Sequence, residues 1–438
     1  MPASPRRKTA GDPPTVPEAH DLGATDESIG LMQRWFREYG DTYRAFAPGR
    51  GAWTWVIHHP DDLKRVLVTN HRNYTKGVGI DRVRLLLGNG IMTSEGEFWR
   101  RQRRMMQPTF HRRVVERFAA VVRERNDALI ECWTAAADRE EPINLMQSMS
   151  QLTLEIVLRA IFSEDLHRLV TDLADNPFMV MTRESKRDPR FAFEFRELGK
   201  LVQTIIRQRR ASGRRHFDFA QMLMESADPD TGQGMNERAL VDEILTLVVA
   251  GHETTASALT WTWWLLSQHP EVERRLHDEQ DQAGALASGT HADLHRLRYS
   301  LAVLQEAARL YPPGWLLTRR SIGPDRLGGY ALPPGSDVFL SPFVVHRHPA
   351  IWENAESFDP DRFGPGRTDG RHKFAYIPFG AGPRHCIGEN FSVFEMMLHL
   401  NGAARRFRLR PVAPGPVALE ARINLGPAQV FHMRVEKR

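Results

Sequence analysis

The sequence predicts a mainly α-helical protein with a small β-rich lobe. Three observations carry this. Most of the 438 residues lie in segments whose apolar positions recur with a helical period. The strand-like segments are few, short and bounded by Gly and Pro. Strands and helices do not alternate as they would in a doubly wound parallel sheet. No linker and no internal repeat divides the chain, so a single folded body is expected.

The composition, 41% hydrophobic and 26% charged, is that of an ordinary globular protein. The formal net charge of +5 favours acidic partners: nucleic acid, an anionic membrane or an acidic protein. Residues 1–30, "MPASPRRKTAGDPPTVPEAHDLGATDESIG", are polar and proline-rich and are expected as a mobile tail. They hold no apolar run of signal or anchor length, so no membrane anchor is expected there. The two cysteines, Cys132 and Cys386, form no disulfide framework, which points to a reducing, cytoplasmic compartment. Cys132 lies in the apolar helical stretch "ALIECWTAA" and is expected to be a small core residue.

Along the chain, "YRAFAPGRGAWTWVIHH" reads as a β-hairpin. "SEGEFWRRQRRMMQP" reads as a helix opened by a capping box, Ser94 with Glu97, and closed at Pro108. Trp99 and Arg103 are i,i+4 neighbours on it. Its arginines read as a solvated basic face; nucleic acid is disfavoured because no aromatic interleaving accompanies them. "SADPDTGQGMNE" and "DQAGALASGTHAD" read as loops.

A long apolar helix follows, from about Leu240 to Gln268. His252 and Glu253 at its middle disqualify it as a membrane span and make it the buried central helix of a large fold. Its "AGHETT" resembles H-E-x-x-H but has Ala256 where the second zinc histidine belongs. Gly251 lets a ligand lie against the helix, and Thr254 sits one turn on. The Thr254 hydroxyl can bond the Ala250 carbonyl or release it to water, and Glu253 can relay protons. In "QEAARLYPP", Glu306 and Arg309 are spaced i,i+3, which alone reads as a surface ion pair. "GGYALPPGSDVFLSPF" reads as a second hairpin, and "INLGPAQVFHMRVEKR" as strands pairing back.

The segment "FGAGPRHCIG" holds Cys386. Ile387, Phe391, Phe394, Met397 and Leu398 form one helical face behind it, so the cysteine stands at or just before a first turn. Free N–H groups and the helix dipole there favour a thiolate. Gly380, Gly382 and Gly388 allow a flat partner to approach the sulfur, and Arg384 adds positive charge. Three readings compete: a buried residue in a glycine turn, a nucleophile, or a lone metal ligand. No His–Asn pattern supports the nucleophile, and no CxxC or neighbouring histidine completes a zinc site. A single thiolate suffices when a porphyrin supplies the in-plane ligands. Dinucleotide binding through "GAGPRH" fails, because His385 replaces the third glycine.

The order Phe379, Gly382, Arg384, Cys386, Gly388 matches the haem-binding loop of the cytochrome P450 superfamily at every signature position. The chain resembles that superfamily from about Trp35 to its end. The resemblance implies a P450 haem domain over 31–438, with haem b between the central helix and the cysteine-loop helix. It makes Cys386 the thiolate ligand of iron, with Phe379, Gly388 and Gly251 beside the cofactor. Glu253 and Thr254 become the acid–alcohol pair that manages protons during oxygen activation; peroxide-using relatives usually carry Arg–Pro there. Glu306 and Arg309, joined by Arg362 of "FDPDRF", become a buried network that locks the cysteine loop. Trp99, Arg103, Arg384 and Arg319 become propionate ligands, with Arg320 facing the other way if this stretch is a strand. The remaining arginines around Trp99 become a docking face for an acidic electron donor.

The implied activity is that of a soluble, monomeric monooxygenase fed by ferredoxin and ferredoxin reductase. It would use molecular oxygen to hydroxylate or epoxidise a lipophilic terpenoid, steroid, fatty acid or polyketide. Candidate pocket residues are Ile80 to Met92, Phe178 to Met181, Val248 and Val249, and Trp315 to Leu317. Three features depart from the pattern: Arg103 where relatives often have His, "NLGP" in the C-terminal turn, and no flavin domain. The rivals are a haem sensor or carrier without turnover, an oxygen-independent haem–thiolate isomerase and, last, a DNA-binding regulator.

Overall fold

The computed structural model describes residues 11–23, 25–165, 176–182, 189–286, 289–413 and 415–438. It divides into two compact units. The first comprises Met1–Gly79, Gln305–Cys386 and Pro416–Gln429; the second comprises Ile80–Leu304, Ile387–Gly415 and Val430–Arg438.

The first unit is built on a five-stranded sheet. The expected hairpin forms, with Thr42–Ala47 antiparallel to Ala52–Ile57. Ala52–Ile57 runs parallel to Asp337–Leu340, which pairs with Leu317–Ser321, and that strand with Tyr74–Lys76. The two-residue period of a strand sorts the side chains into two cores. Tyr43, Ala45, Val56 and Phe339 join Trp35 and Trp315 in one. Trp55, Ile57, Val338 and Leu340 join Leu67 and Ile377 in the other.

The second expected hairpin does not form. Tyr330–Leu332 folds back on Asp325–Leu327, while Asp337–Leu340 enters the large sheet. Pro333 and Pro334 lie between them and offer no N–H to continue a ladder. The buried run Asp337–Leu340 suits a sheet interior rather than a half-exposed hairpin arm.

The tail expected over 1–30 is shorter than that. From Pro14 onward the chain lies against the sheet edge, with Val16 N–H donating to Arg44 O at 3.0 Å and Arg44 N–H to Pro14 O at 2.9 Å. Val16 and Leu22 are buried in the first core. Two isolated apolar residues among prolines carry no periodicity, so the sequence hid them. The first ten residues lie outside the described residues.

The second unit is helical. Its axis is the central helix, Glu237–Gln268, capped by the Asn236 side chain accepting from Ala239 N–H at 2.8 Å. It packs along Leu145–Phe162. The helix Gly96–Met106 starts later than the capping box required. Gly96 has φ +60°, Glu95 caps without a side-chain bond, and Ser94 is buried. Cys132 is exposed, against expectation. Ile130, Trp133 and Ala136 set the buried face of its helix, Ala119–Asp138, and Cys132 falls on the other side. The C-terminal segment does pair as strands, but in two sheets: Leu425–Pro427 with Leu419–Ala421 in the first unit, and His432–Lys437 with Phe407–Pro411 in the second. Among the described residues no helix is long and apolar enough to cross a membrane.

Candidate active site

The cysteine loop closes on itself within the first unit. Cys386 N–H donates to Phe379 O at 2.9 Å, His385 N–H to Gly382 O at 3.0 Å, and Gly380 N–H to Ile377 O at 3.0 Å. Gly382 has φ +72°, and a Cβ there would stand 2.0 Å from the Leu67 carbonyl oxygen. Only glycine fits. The short turn Gly382–Arg384 that results leaves the Cys386 thiol exposed, which removes the reading of a buried structural cysteine. The helix Glu389–Ala403 begins three residues later, with Gly388 as its N-cap.

Among the described residues no group of three or more His, Cys, Asp or Glu gathers where it could hold a metal. A metal at Cys386 therefore has to bring most of its ligands with it. A single accessible thiol on a glycine-lined loop fits a flat chelate such as haem and fits no all-protein site.

Glu306, Arg309 and Arg362 are brought together and buried. Arg309 Nε and Nη2 donate to the two Glu306 carboxylate oxygens at 2.6 and 2.7 Å. Its Nη1 donates to the carbonyls of His346 and Ala355, and Nη2 also to that of Ser357. Arg362 Nε donates to Glu306 Oε1 at 3.2 Å and its Nη2 to Asn354 O at 2.9 Å. Asp359 N–H adds a fourth bond to the same carboxylate at 3.0 Å. Satisfied in this way, a buried ionic trio holds one geometry for the loops it touches.

On the central helix, Thr254 Oγ1 donates to Ala250 O at 2.6 Å, the back-bond read from the sequence. Ala250, Gly251, Glu253, Thr254, Ser257 and Ala258 are only partly covered, whereas the flanking His252, Thr255 and Ala256 are buried. Small residues thus leave an uncovered lane along an otherwise enclosed helix, which also suits a flat group. Gly251 has a second reason to be glycine, because a Cβ there would stand 2.9 Å from Val157 Cγ2. His252 turns away, its Nε2 at 2.8 Å from Ser150 Oγ.

Two residues here escaped the sequence reading. Thr255 Oγ1 meets Ser392 Oγ at 3.2 Å, and Glu395 is buried on the cysteine helix. Burial lifts the Glu395 carboxyl well above the usual range, with the Thr255 hydroxyl opposing it.

Trp99 is buried and Arg103 half-buried on Gly96–Met106. Their neighbours do not form an open basic face. Arg100 pairs with Glu97 at 2.6 Å, while Arg104 pairs with Asp228 at 3.2 Å and Asp230 at 2.7 Å. Arg101 Nε lies 3.3 Å from Asp228. The loop after Glu225 answers these arginines internally, a pairing that sequence spacing does not reveal. On Leu317–Ser321, Arg320 Nε donates to Asp337 Oδ1 at 2.8 Å, and the half-buried Arg319 projects from the opposite side of the strand. Trp315 is committed to the core, its Nε1 donating to Arg422 O at 2.7 Å, while Leu316 and Leu317 remain partly covered.

The cytochrome P450 family model matches residues 14–421. The chain belongs to the cytochrome P450 family. It is 38% identical over 376 residues to cyclooctatin synthase of Streptomyces melanosporofaciens, covering 82% of this chain and 80% of that protein. It is 33% identical over 395 residues to pentalenene oxygenase of Streptomyces avermitilis, with 85% and 87% covered. The crystal structure of the cytochrome P450DA heme domain superposes with a TM-score of 0.86 at 24% identity, over 98% of both chains, and shows the same fold. As a P450, this protein is a haem–thiolate monooxygenase. It uses molecular oxygen and electrons from redox partners to oxidise a lipophilic small molecule.

Proposed function

We propose that this P450 oxidises a terpenoid, a hydrocarbon or a simple alcohol, in the cytoplasm. It acts as a monomeric haem domain that begins at about residue 14 rather than 31, reduced by a ferredoxin and its reductase. The substrate class is supported by relatives named for pentalenene and for cyclooctat-9-en-7-ol, the latter 34% identical over 373 residues. Bound haem supplies the electron-transfer and oxygen chemistry.

The protein's own residues do the rest. Cys386 would hold the iron through its accessible thiolate, and Phe379, Gly388 and Gly251 would line the haem. Trp99, Arg103, Arg319 and Arg384 would donate N–H groups to the haem propionates. Glu306, Arg309 and Arg362 fix the cysteine loop. The observation that carries the oxygen-dependent reading is the Thr254 Oγ1–Ala250 O bond, on the uncovered lane with Glu253 alongside. Thr254 can exchange that carbonyl for a water, and Glu253 can carry protons from solvent to it. Because Arg100, Arg101 and Arg104 are answered internally, the acidic donor is assigned to the exposed Arg112 and Arg113.

Reconstitution with a surrogate ferredoxin and reductase tests this. Terpenoid hydrocarbons or alcohols should shift the ferric Soret band from low to high spin and leave with one added oxygen, at the expense of reduced nicotinamide. A library in which only fatty acids or steroids cause the shift would overturn the substrate class, and turnover without oxygen would overturn the proton relay.

A further inference from the structure

One buried imidazole lies between the network around Glu306 and the Cys386 loop. His346 is fully buried in the first unit. Its Nε2 lies 2.9 Å from Ile377 N, and a backbone N–H can only donate, so Nε2 carries the lone pair. Nδ1 therefore carries the proton and donates to Arg309 O at 3.2 Å. Arg309 returns the contact, its Nη1 donating to His346 O at 2.9 Å. On the other side Ile377 O accepts from Gly380 N–H, and Cys386 N–H closes on Phe379 O. Hydrogen bonds joined through the Ile377 backbone and the Phe379–Gly380 peptide thus lead from the arginine to the amide of the cysteine.

We propose that His346 is the positioning residue that couples the Glu306–Arg309–Arg362 network to the Cys386 loop, through a neutral imidazole held in one tautomer. The role depends on both ring nitrogens. A second proton on Nε2 would face the Ile377 N–H donor to donor. Burial and the nearby Arg309 and Arg347 cations keep that proton off, pushing the ring down to about 3. Tyr376 packs on the ring at 5.3 Å between centroids, and its hydroxyl donates to Gln305 O at 3.0 Å, so the imidazole cannot swing away.

The inference rests on Cys386 being the haem ligand, but its test does not need haem. In the unloaded wild-type protein, NMR of isotope-labelled histidine should show one ring with Nδ1 protonated and Nε2 hydrogen-bonded to the Ile377 amide. In His346→Phe, which keeps a flat ring and loses both bonds, the Ile377 and Gly380 amides should exchange with solvent about tenfold faster. His346→Gln, which can accept from Ile377 and donate to Arg309, should restore most of that protection. With haem added, the Phe variant should lose the red-shifted carbonyl Soret band of thiolate ligation ahead of its helical circular dichroism, and the Gln variant should keep it. The opposite tautomer in the wild type overturns the proposal even if the Phe variant does not fold. So does a Gln variant that behaves like Phe, or a Phe variant with unchanged exchange. A wild type that never gives the thiolate band, with the exchange results intact, would fault the haem assignment instead.

Discussion

Glu306→Gln probes the buried ionic trio with the smallest change in shape. The carboxylate accepts four hydrogen bonds: two from Arg309, at 2.6 and 2.7 Å, one from Arg362 and one from Asp359 N–H. An amide keeps one acceptor oxygen and turns its NH2 toward a guanidinium, donor against donor. With the oxygen at the Oε1 place, Arg309 Nη2, Arg362 and Asp359 N–H keep an acceptor that is no longer charged, and only the bond from Arg309 Nε is lost. The two donors left facing each other, at about 1–3 kcal/mol each, give about 2–6 kcal/mol. Removing one partner of a buried pair costs about 3–5 kcal/mol. The two values agree, and either is a large share of the roughly 5–15 kcal/mol that holds a protein folded. Urea unfolding followed by circular dichroism should show this loss at an unchanged m-value, with haem content per chain falling alongside. A loss below about 1 kcal/mol, the range of an exposed ion pair, would refute the reasoning.

Other perturbations separate the remaining parts. Thr254→Ala should fold and bind haem normally, yet lower product formation by on the order of a hundredfold while nicotinamide is still consumed, with peroxide released in place of product; coupled turnover in that variant would remove the hydroxyl from the relay. Arg320→Ala should cost about 1 kcal/mol by removing one bond to the buried Asp337, which Arg50 still approaches at 3.4 Å, and should leave haem affinity alone. Arg319→Ala should do the reverse, weakening haem binding about tenfold with little change in urea midpoint; the opposite pattern would exchange their assignments. The fold raises the Glu395 carboxyl well above the ordinary 4.5 that it has in the unfolded chain. Between those two values the unfolded chain binds fewer protons, so this group makes stability fall as pH rises, by about 1.4 kcal/mol per pH unit. Glu395→Gln should therefore gain on the wild type as pH increases from 5 to 8 in urea titrations, and a constant difference would show that Glu395 is ionised in the fold.

What the sequence made legible was local. The back-bond of Thr254 follows from an i,i−4 spacing, the helix behind Cys386 from one apolar face, and the first hairpin from alternation around a glycine turn. What it hid depends on partners distant along the chain. Asp228 answers Arg101 and Arg104, Asp337 takes Arg320, and neither carboxylate advertises this by spacing. His346 is one histidine of "HRHP", with nothing to distinguish it until Ile377 and Arg309 arrive on either side. The second hairpin failed because edge and interior strands look alike in a short apolar run. Cys132 failed because one residue of helical phase separates core from surface.

The thiolate bond to iron is tested most directly by the carbonyl spectrum of the reduced, haem-loaded protein. Wild type should give the strongly red-shifted Soret band that a thiolate opposite carbon monoxide produces, and Cys386→Ser should lose it while remaining folded. An unshifted band in the wild type, or the same band in both proteins, would contradict the assignment of Cys386.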